Sequence, residues 1–170
     1  MSKVLDRWNQ LPAQEAAREI LPCCGSMAWA RELAARRPLP DEISLLATSD
    51  QIWNSLGEQD WVEAFSTHPR IGERKAPAGA STKSASWSAQ EQQNVVSAED
   101  VTQQALAEAN REYERRFGRV FIVCATGKGA SEMVDSLRRR LHNDDAIELR
   151  ESAEEQRKIT NLRLKKWLEQ

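Results

Sequence analysis

The segment Thr67-His68-Pro69-Arg70-Ile71-Gly72 sets an imidazole at the junction of a helix and a loop. A helical pattern ends near Ser66 and runs into Pro69, and proline disfavours helical backbone at the residue before it. His68 therefore opens a loop, where an imidazole can accept or deliver protons near neutral pH. The same placement also suits a structural histidine resting against a helix C-terminal dipole. A second group is Ser88-Ala89-Gln90-Glu91-Gln92. Ser-x-x-Glu ahead of a helix reads as a capping box, in which side chains satisfy the first N–H groups. A helix N-terminus is also an anion site, from which Glu91 and Gln92 could reach into a cavity. Ser88 can serve both readings, whereas they compete for Glu91. The third group is Arg163, which shares one helix face with Ile159, Thr160 and Trp167. An arginine on a partly apolar face calls for a carboxylate or a ligand anion, or else snorkels to water as a structural side chain.

Other chemistries are poorly supplied. The chain has three cysteines, Cys23, Cys24 and Cys124, and two histidines, His68 and His142, with no C-x-x-C spacing. No metal site is expected from that set. Gly127-Lys128-Gly129 fails the phosphate-loop spacing, because Ile122 occupies the place of the first glycine. Arg138-Arg139-Arg140 reads as a solvated helix face. No serine or cysteine comes with a sequence-evident base.

Those groups need a scaffold. A chain of 170 residues favours one domain, and 40% hydrophobic with 29% charged residues is an ordinary soluble composition. A net charge of -2 gives no bulk attraction to nucleic acid or to anionic membranes. No run approaches the roughly 18 apolar residues of a membrane span. An odd cysteine count without a disulfide framework points to a reducing compartment, and the first residues do not resemble a signal peptide. A cytoplasmic protein is the expectation.

Helices are predicted near 12–21, 26–37, 41–56 and 58–66, with Ser49-Asp50 able to break the third. Val101, Ala105, Ala109, Tyr113 and Phe117 form an i, i+4 ladder, the buried stripe of one amphipathic helix that Gly118 ends. Val134, Leu137 and Leu141 repeat the pattern. A last long helix starts near Asp144 with Asn143 as N-cap. Residues 72–87, rich in Gly, Ala, Ser, Pro and Lys, read as a long loop of the kind that forms lids or binding loops. Val120 to Ala125 is apolar and β-branched, with no second strand to pair with. It reads as a buried extended connector whose backbone groups must find other partners.

Four segments together, His-Pro-Arg-Ile-Gly at 68–72, Ser-x-x-Glu-Gln at 88–92, Phe-Ile-Val-Cys-Ala-Thr-Gly-Lys at 121–128 and Lys-Ile-Thr-Asn-Leu-Arg-Leu at 158–164, resemble the OHCU decarboxylases of uric acid degradation. The resemblance runs in register from about residue 5 to the C-terminus. It departs at Gly129, where a serine is common, and over 73–86. It implies a compact all-α single-domain bundle, a homodimer and no cofactor. The implied activity is decarboxylation of the small molecule 2-oxo-4-hydroxy-4-carboxy-5-ureidoimidazoline to (S)-allantoin. The family's catalytic pair falls on His68 and Glu91. Its substrate contacts fall on Pro69, Ser88, Gln92, Arg163 and the segment Phe121, Ile122, Val123, Cys124, Ala125 through its backbone. Two other readings stay open on the residues alone: a helical interaction module with Glu91 as a cap, and an enzyme acting on a related ureide acid with the same pair.

Overall fold

The computed structural model describes residues 2–73 and 77–170. Arg74, Lys75 and Ala76, which belong to the predicted 72–87 loop, lie outside the described residues. Secondary structure is helical throughout the described residues, with no strand, as the all-α reading expects. By contacts the chain divides into two compact units, Met1–Ala64 with Arg157–Gln170, and Phe65–Gln156.

The first unit contains α1 (Lys3–Gln10), α2 (Ala13–Ile20), a 3-10 turn at Leu21–Cys23, α3 (Met27–Ala35), α4 (Glu42–Ser55) and all but the last residue of α5 (Glu58–Phe65). It also holds the second half of α10 (Asp145–Leu168). Helix starts follow local chemistry: Ser26 accepts from the Trp29 N–H at 3.2 Å and Asp41 from the Ser44 N–H at 2.7 Å. The core is aromatic, with Trp8 and Trp167 edge to face at 5.7 Å. Ser49-Asp50 does not break α4. Ser49 is buried and accepts from the Trp29 indole N–H at 3.2 Å, and Asp50 accepts from Arg157 and Asn161 at 2.7 and 3.0 Å. Tertiary partners satisfy both polar side chains that would otherwise compete with the helix.

The second unit contains α6 (Thr82–Glu91), α7 (Gln93–Val96), α8 (Asp100–Phe117), α9 (Ala130–Arg140) and the first half of α10. Its core joins Ile71, Val95, Leu106, Tyr113, Phe121, Val123, Met133 and Leu137, with Tyr113 stacked obliquely on Phe117 and edge to face with Phe121. Gly118 ends α8 in the left-handed conformation, φ +66°. The stripe of α8 departs from the sequence reading at its start. Val101 is 77% exposed, and the buried face runs through Leu106, Ala109, Asn110, Tyr113 and Phe117. Helix α10 begins at Asp145. Asn143 turns its amide toward Glu148 and Glu151, at 2.9 Å each.

The largest correction lies between 81 and 92. The predicted loop ends at Ser81, whose hydroxyl accepts from the Ser84 N–H at 3.0 Å and starts α6 ten residues before Glu91. Ser84, Trp87 and Ser88 are buried at i, i+3 and i+4. This is a buried face of two serines and one tryptophan, which hydrophobic periodicity does not register. Ser88-x-x-Glu91 is therefore no capping box. It occupies the last turn of α6, and the expected helix N-terminus at that point is in fact a C-terminus.

Candidate active site

The 68–72 segment leaves α5 with the His68 N–H bonded to the Phe65 carbonyl at 3.1 Å. His68 and Pro69 are buried. The ring Nε2 of His68 lies 2.7 Å from Oε1 of Gln156 on α10. Arg70 forks onto Glu114 of α8 at 2.5 and 3.0 Å, which holds its guanidinium protonated well above its usual range. The Ile71 carbonyl accepts from the buried Asn110 amide at 2.8 Å. Gly72 donates its N–H to Oε1 of Gln92 at 2.9 Å. This ties the histidine loop to the residue that follows Glu91. Gly72 has φ +91°, and a Cβ there would meet Leu106 Cδ2 at 2.9 Å, so only glycine fits without strain.

Glu91 ends α6 half-buried, and Ser88 lies buried one turn before it. The connector passes close by. Phe121, Val123 and Ala125 point into the core, the alternation of an extended run. On the intervening residues, the Ile122 carbonyl accepts from Arg140 Nη1 at 2.6 Å, and the Cys124 N–H donates to Glu155 Oε2 at 2.8 Å. Two of the backbone groups that lack a strand partner, the Ile122 carbonyl and the Cys124 N–H, are thus met by side chains of α9 and α10. The Cys124 thiol is pushed above its ordinary range, chiefly by burial and then by the Glu155 carboxylate, with Glu91 adding in the same direction. Two carboxylates, Glu91 and Glu155, therefore act on one stretch of connector.

Arg140 corrects the reading of 138–140 as a solvated face. Arg138 and Arg139 are exposed, but Arg140 is 1% exposed and salt-bridged to the fully buried Glu148 at 2.5 Å. Tyr113 donates its hydroxyl to the same carboxylate at 2.6 Å. Burial, reinforced by that carboxylate, raises the phenol to about 12.

Of the residues singled out from sequence, His68, Pro69, Ser88, Glu91, Gln92 and Phe121 through Ala125 all fall in the second unit; Arg163 falls in the first. There Arg163 is fully buried with Ile159, Thr160 and Trp167, the face its spacing predicted. Its Nη1 donates to the Pro22 carbonyl at 3.3 Å, and its charge bears on the buried Cys24 thiol. A cavity of about 250 Å³ opens beside Arg70, Ile71, Gly72 and Glu73 against α8; neither His68 nor Glu91 lines it. Sequence reasoning missed Gln156, Glu155, Arg140 and Glu148. Gln156 had a signal: it lies seven residues before Arg163 on the same buried face, between Ser152 and Thr160.

The arrangement offers an imidazole held by a neutral amide, a half-buried carboxylate, and an extended backbone pinned at alternate residues. The family model described as OHCU decarboxylase matches residues 9–165. The chain belongs to the OHCU decarboxylase family. A solved structure described as OHCU decarboxylase in the presence of (S)-allantoin is 34% identical, with a TM-score of 0.77 over 89% of this chain and 98% of that one. The uric acid degradation bifunctional protein TTL of Arabidopsis thaliana is 37% identical over 145 residues, which is 85% of this chain and 44% of that protein. A uric acid degradation bifunctional protein of Bacillus sp. (strain TB-90) is 25% identical over 164 residues, 94% of this chain and 31% of that protein. The chain thus spans less than half the length of these curated relatives. A solved (S)-allantoin synthase, 17% identical with a TM-score of 0.69 over 96% of this chain and 53% of that one, shares the fold. The carboxy-lyase family read from the four motifs is the one the chain matches.

Proposed function

We propose that this chain decarboxylates 2-oxo-4-hydroxy-4-carboxy-5-ureidoimidazoline to (S)-allantoin and carbon dioxide, without a cofactor, as a step in uric acid degradation. The observation that carries this reading is the nearly end-to-end match, at 34% identity, to a solved OHCU decarboxylase described in the presence of (S)-allantoin. The chemistry suits the residues. Decarboxylation leaves an electron pair that needs a sink, which cofactors often supply. Here the substrate has its own, a ring C=N beside the carboxyl-bearing carbon. The bond to the carboxylate breaks and its pair forms a C=C bond to the neighbouring ring carbon. The pair displaced from C=N goes to nitrogen, which takes a proton. The enol then loses its hydroxyl proton and gains one on the ureido-bearing carbon. Two protons enter and one leaves, a net uptake of one for each carboxylate lost.

Glu91 engages the substrate hydroxyl or ring N–H, and His68 delivers the proton to one face of the enol, making the product a single enantiomer. Acid–base steps of this kind contribute roughly 10²–10⁴-fold each. Pro69, Ser88 and Gln92 border the ligand, and the connector from Phe121 to Ala125 contacts its carbonyls through backbone groups. A second copy of the chain completes a homodimer, testable by light scattering. Three cysteines, an odd count without the spacing of a disulfide framework, favour a cytoplasmic setting.

The test uses substrate generated in situ from urate, with allantoin followed by its optical activity. His68→Asn and Glu91→Gln are expected to remain folded and lose about 10²-fold or more in turnover. A His68→Asn protein with wild-type turnover would remove its role. A Glu91→Gln protein that loses only stability would make Glu91 structural.

A further inference from the structure

Gln156 is fully buried, lies 88 residues from His68 in sequence, and places its Oε1 2.7 Å from the ring Nε2. An amide oxygen only accepts hydrogen bonds, so this contact holds when Nε2 carries the hydrogen. A neutral imidazole with its hydrogen on Nε2 has its basic lone pair on Nδ1. We propose that Gln156 is a positioning residue for the decarboxylation: its side-chain carbonyl holds His68 as the Nε2–H tautomer, so that the ring exchanges protons with the ligand through Nδ1. The inference rests on the reading of His68 as the proton carrier.

The identity of the partner matters. A carboxylate in this place would orient the ring equally well but would also stabilise imidazolium, making the proton harder to give to carbon. A neutral amide fixes direction and tautomer and leaves the ring able to cycle between its charged and neutral forms. The local framework is stiff enough to do this. Ser152 and Thr160, one turn to either side on α10, are buried, and the adjacent Glu155 anchors the Cys124 N–H at 2.8 Å. One turn of α10 thus fixes both the ring and the connector.

The tautomer can be read directly by two-bond hydrogen–nitrogen correlation NMR on nitrogen-15-labelled protein. The chain has two histidines, so a His142→Gln variant assigns the His68 signals. The expected pattern for neutral His68 is Nε2–H with an unprotonated Nδ1. Gln156→Met, close in shape, is expected to abolish that preference and to lower kcat about tenfold or more while KM changes less than threefold. Should Gln156→Met not fold, Gln156→Glu is expected to fold, to restore the Nε2–H pattern and to raise the pH at which the ring becomes neutral. An Nδ1–H ring in the wild-type protein, or a Gln156→Met variant that keeps both tautomer and kcat, overturns the proposal. An Nε2–H ring in a chain whose His68→Asn variant keeps full turnover would instead remove the proton-carrier reading, and with it exchange through Nδ1, leaving only a hydrogen bond.

Discussion

Replacing Arg140 by methionine should cost this small protein a large part of its stability. The guanidinium is 1% exposed and donates to four oxygen contacts. Nε and Nη2 both reach Glu148 Oε1, at 2.9 and 2.5 Å, Nη2 reaches Ser152 Oγ at 2.8 Å, and Nη1 reaches the Ile122 carbonyl at 2.6 Å. Methionine keeps most of the apolar stem and packs against Phe121, over whose ring the guanidinium sits at 4.5 Å. What it removes is the countercharge to a carboxylate with no access to water. Breaking a buried ion pair from one side costs about 3–5 kcal/mol. Tyr113 and Asn143 still donate to Glu148, at 2.6 and 2.9 Å. They moderate the penalty, while the orphaned Ile122 carbonyl adds about 1–3 kcal/mol that overlaps with it. We expect a net loss of about 4 kcal/mol against a total of roughly 5–15 for a domain, read as a drop in urea midpoint at constant m. The double variant Arg140→Met/Glu148→Leu removes the stranded charge. It should be more stable than Arg140→Met alone, lying about 1–3 kcal/mol below wild type because Tyr113 and Ile122 lose partners. A single variant costing under about 1 kcal/mol, or a double variant costing more than the single, would refute the account of a charge-dependent buried network.

Two shorter predictions follow from the same unit. Gly72→Ala combines positive φ with a Cβ 2.9 Å from Leu106 Cδ2, so it should destabilise by about 2–4 kcal/mol in urea unfolding; a loss under about 0.5 kcal/mol would mean the loop relaxes freely. Tyr113 is the chain's one tyrosine, with its phenol raised to about 12 by burial and then by Glu148. Its folded pKa lies above its unfolded one, so its contribution to stability is complete below the ordinary value of 10.0 and is lost as pH rises toward the folded value. Absorbance near 295 nm should therefore stay flat through pH 10–11 while far-UV circular dichroism is native; ionisation at the ordinary value in folded protein would contradict the burial.

Sequence reasoning read the helices with apolar stripes and strong stops. Met27–Ala35, Glu42–Ser55 and Glu58–Phe65 fall within the ranges predicted for them, and Gly118 caps α8 as expected. It failed on α6 because Ser84, Trp87 and Ser88 make a buried face with one large apolar residue among hydroxyls. A hydrophobicity scale treats that composition as loop. The misplacement carried over to Glu91. Its carboxylate stands at the end of α6, directly before the short α7, and does not start the long helix that the capping-box reading needs. At 138–140 three consecutive arginines share composition but not environment, since three successive positions span most of a helix's circumference. Arg140 alone faces the core, and its partner Glu148 lies eight residues on, across a turn between two helices. Pairing of that kind is set by tertiary geometry, and no local pattern encodes it.

The connector explains why the buried charges are there. Five apolar residues cross the interior of a helical unit with no strand beside them, so their amide and carbonyl groups need partners that a sheet would otherwise supply. Neutral side chains could fill this need, but Arg140 and Glu155 do so with charge-assisted bonds, which are shorter and roughly twice as strong. One grips a carbonyl and the other an amide two residues on, so the segment is held at two points along the same edge. A run fixed in that way cannot slide by a residue without breaking both contacts. Rigid backbone is what one-faced proton delivery demands of whatever borders the ligand, since selectivity between the faces of an enol is lost if the ring can rock. If the connector borders the ligand as proposed, the Arg140–Glu148 network, remote from His68 in sequence, bears on stereochemical outcome as well as on folding. In this reading a destabilised connector should release allantoin of lower optical purity before turnover itself fails, because the uncatalysed proton has access to both faces.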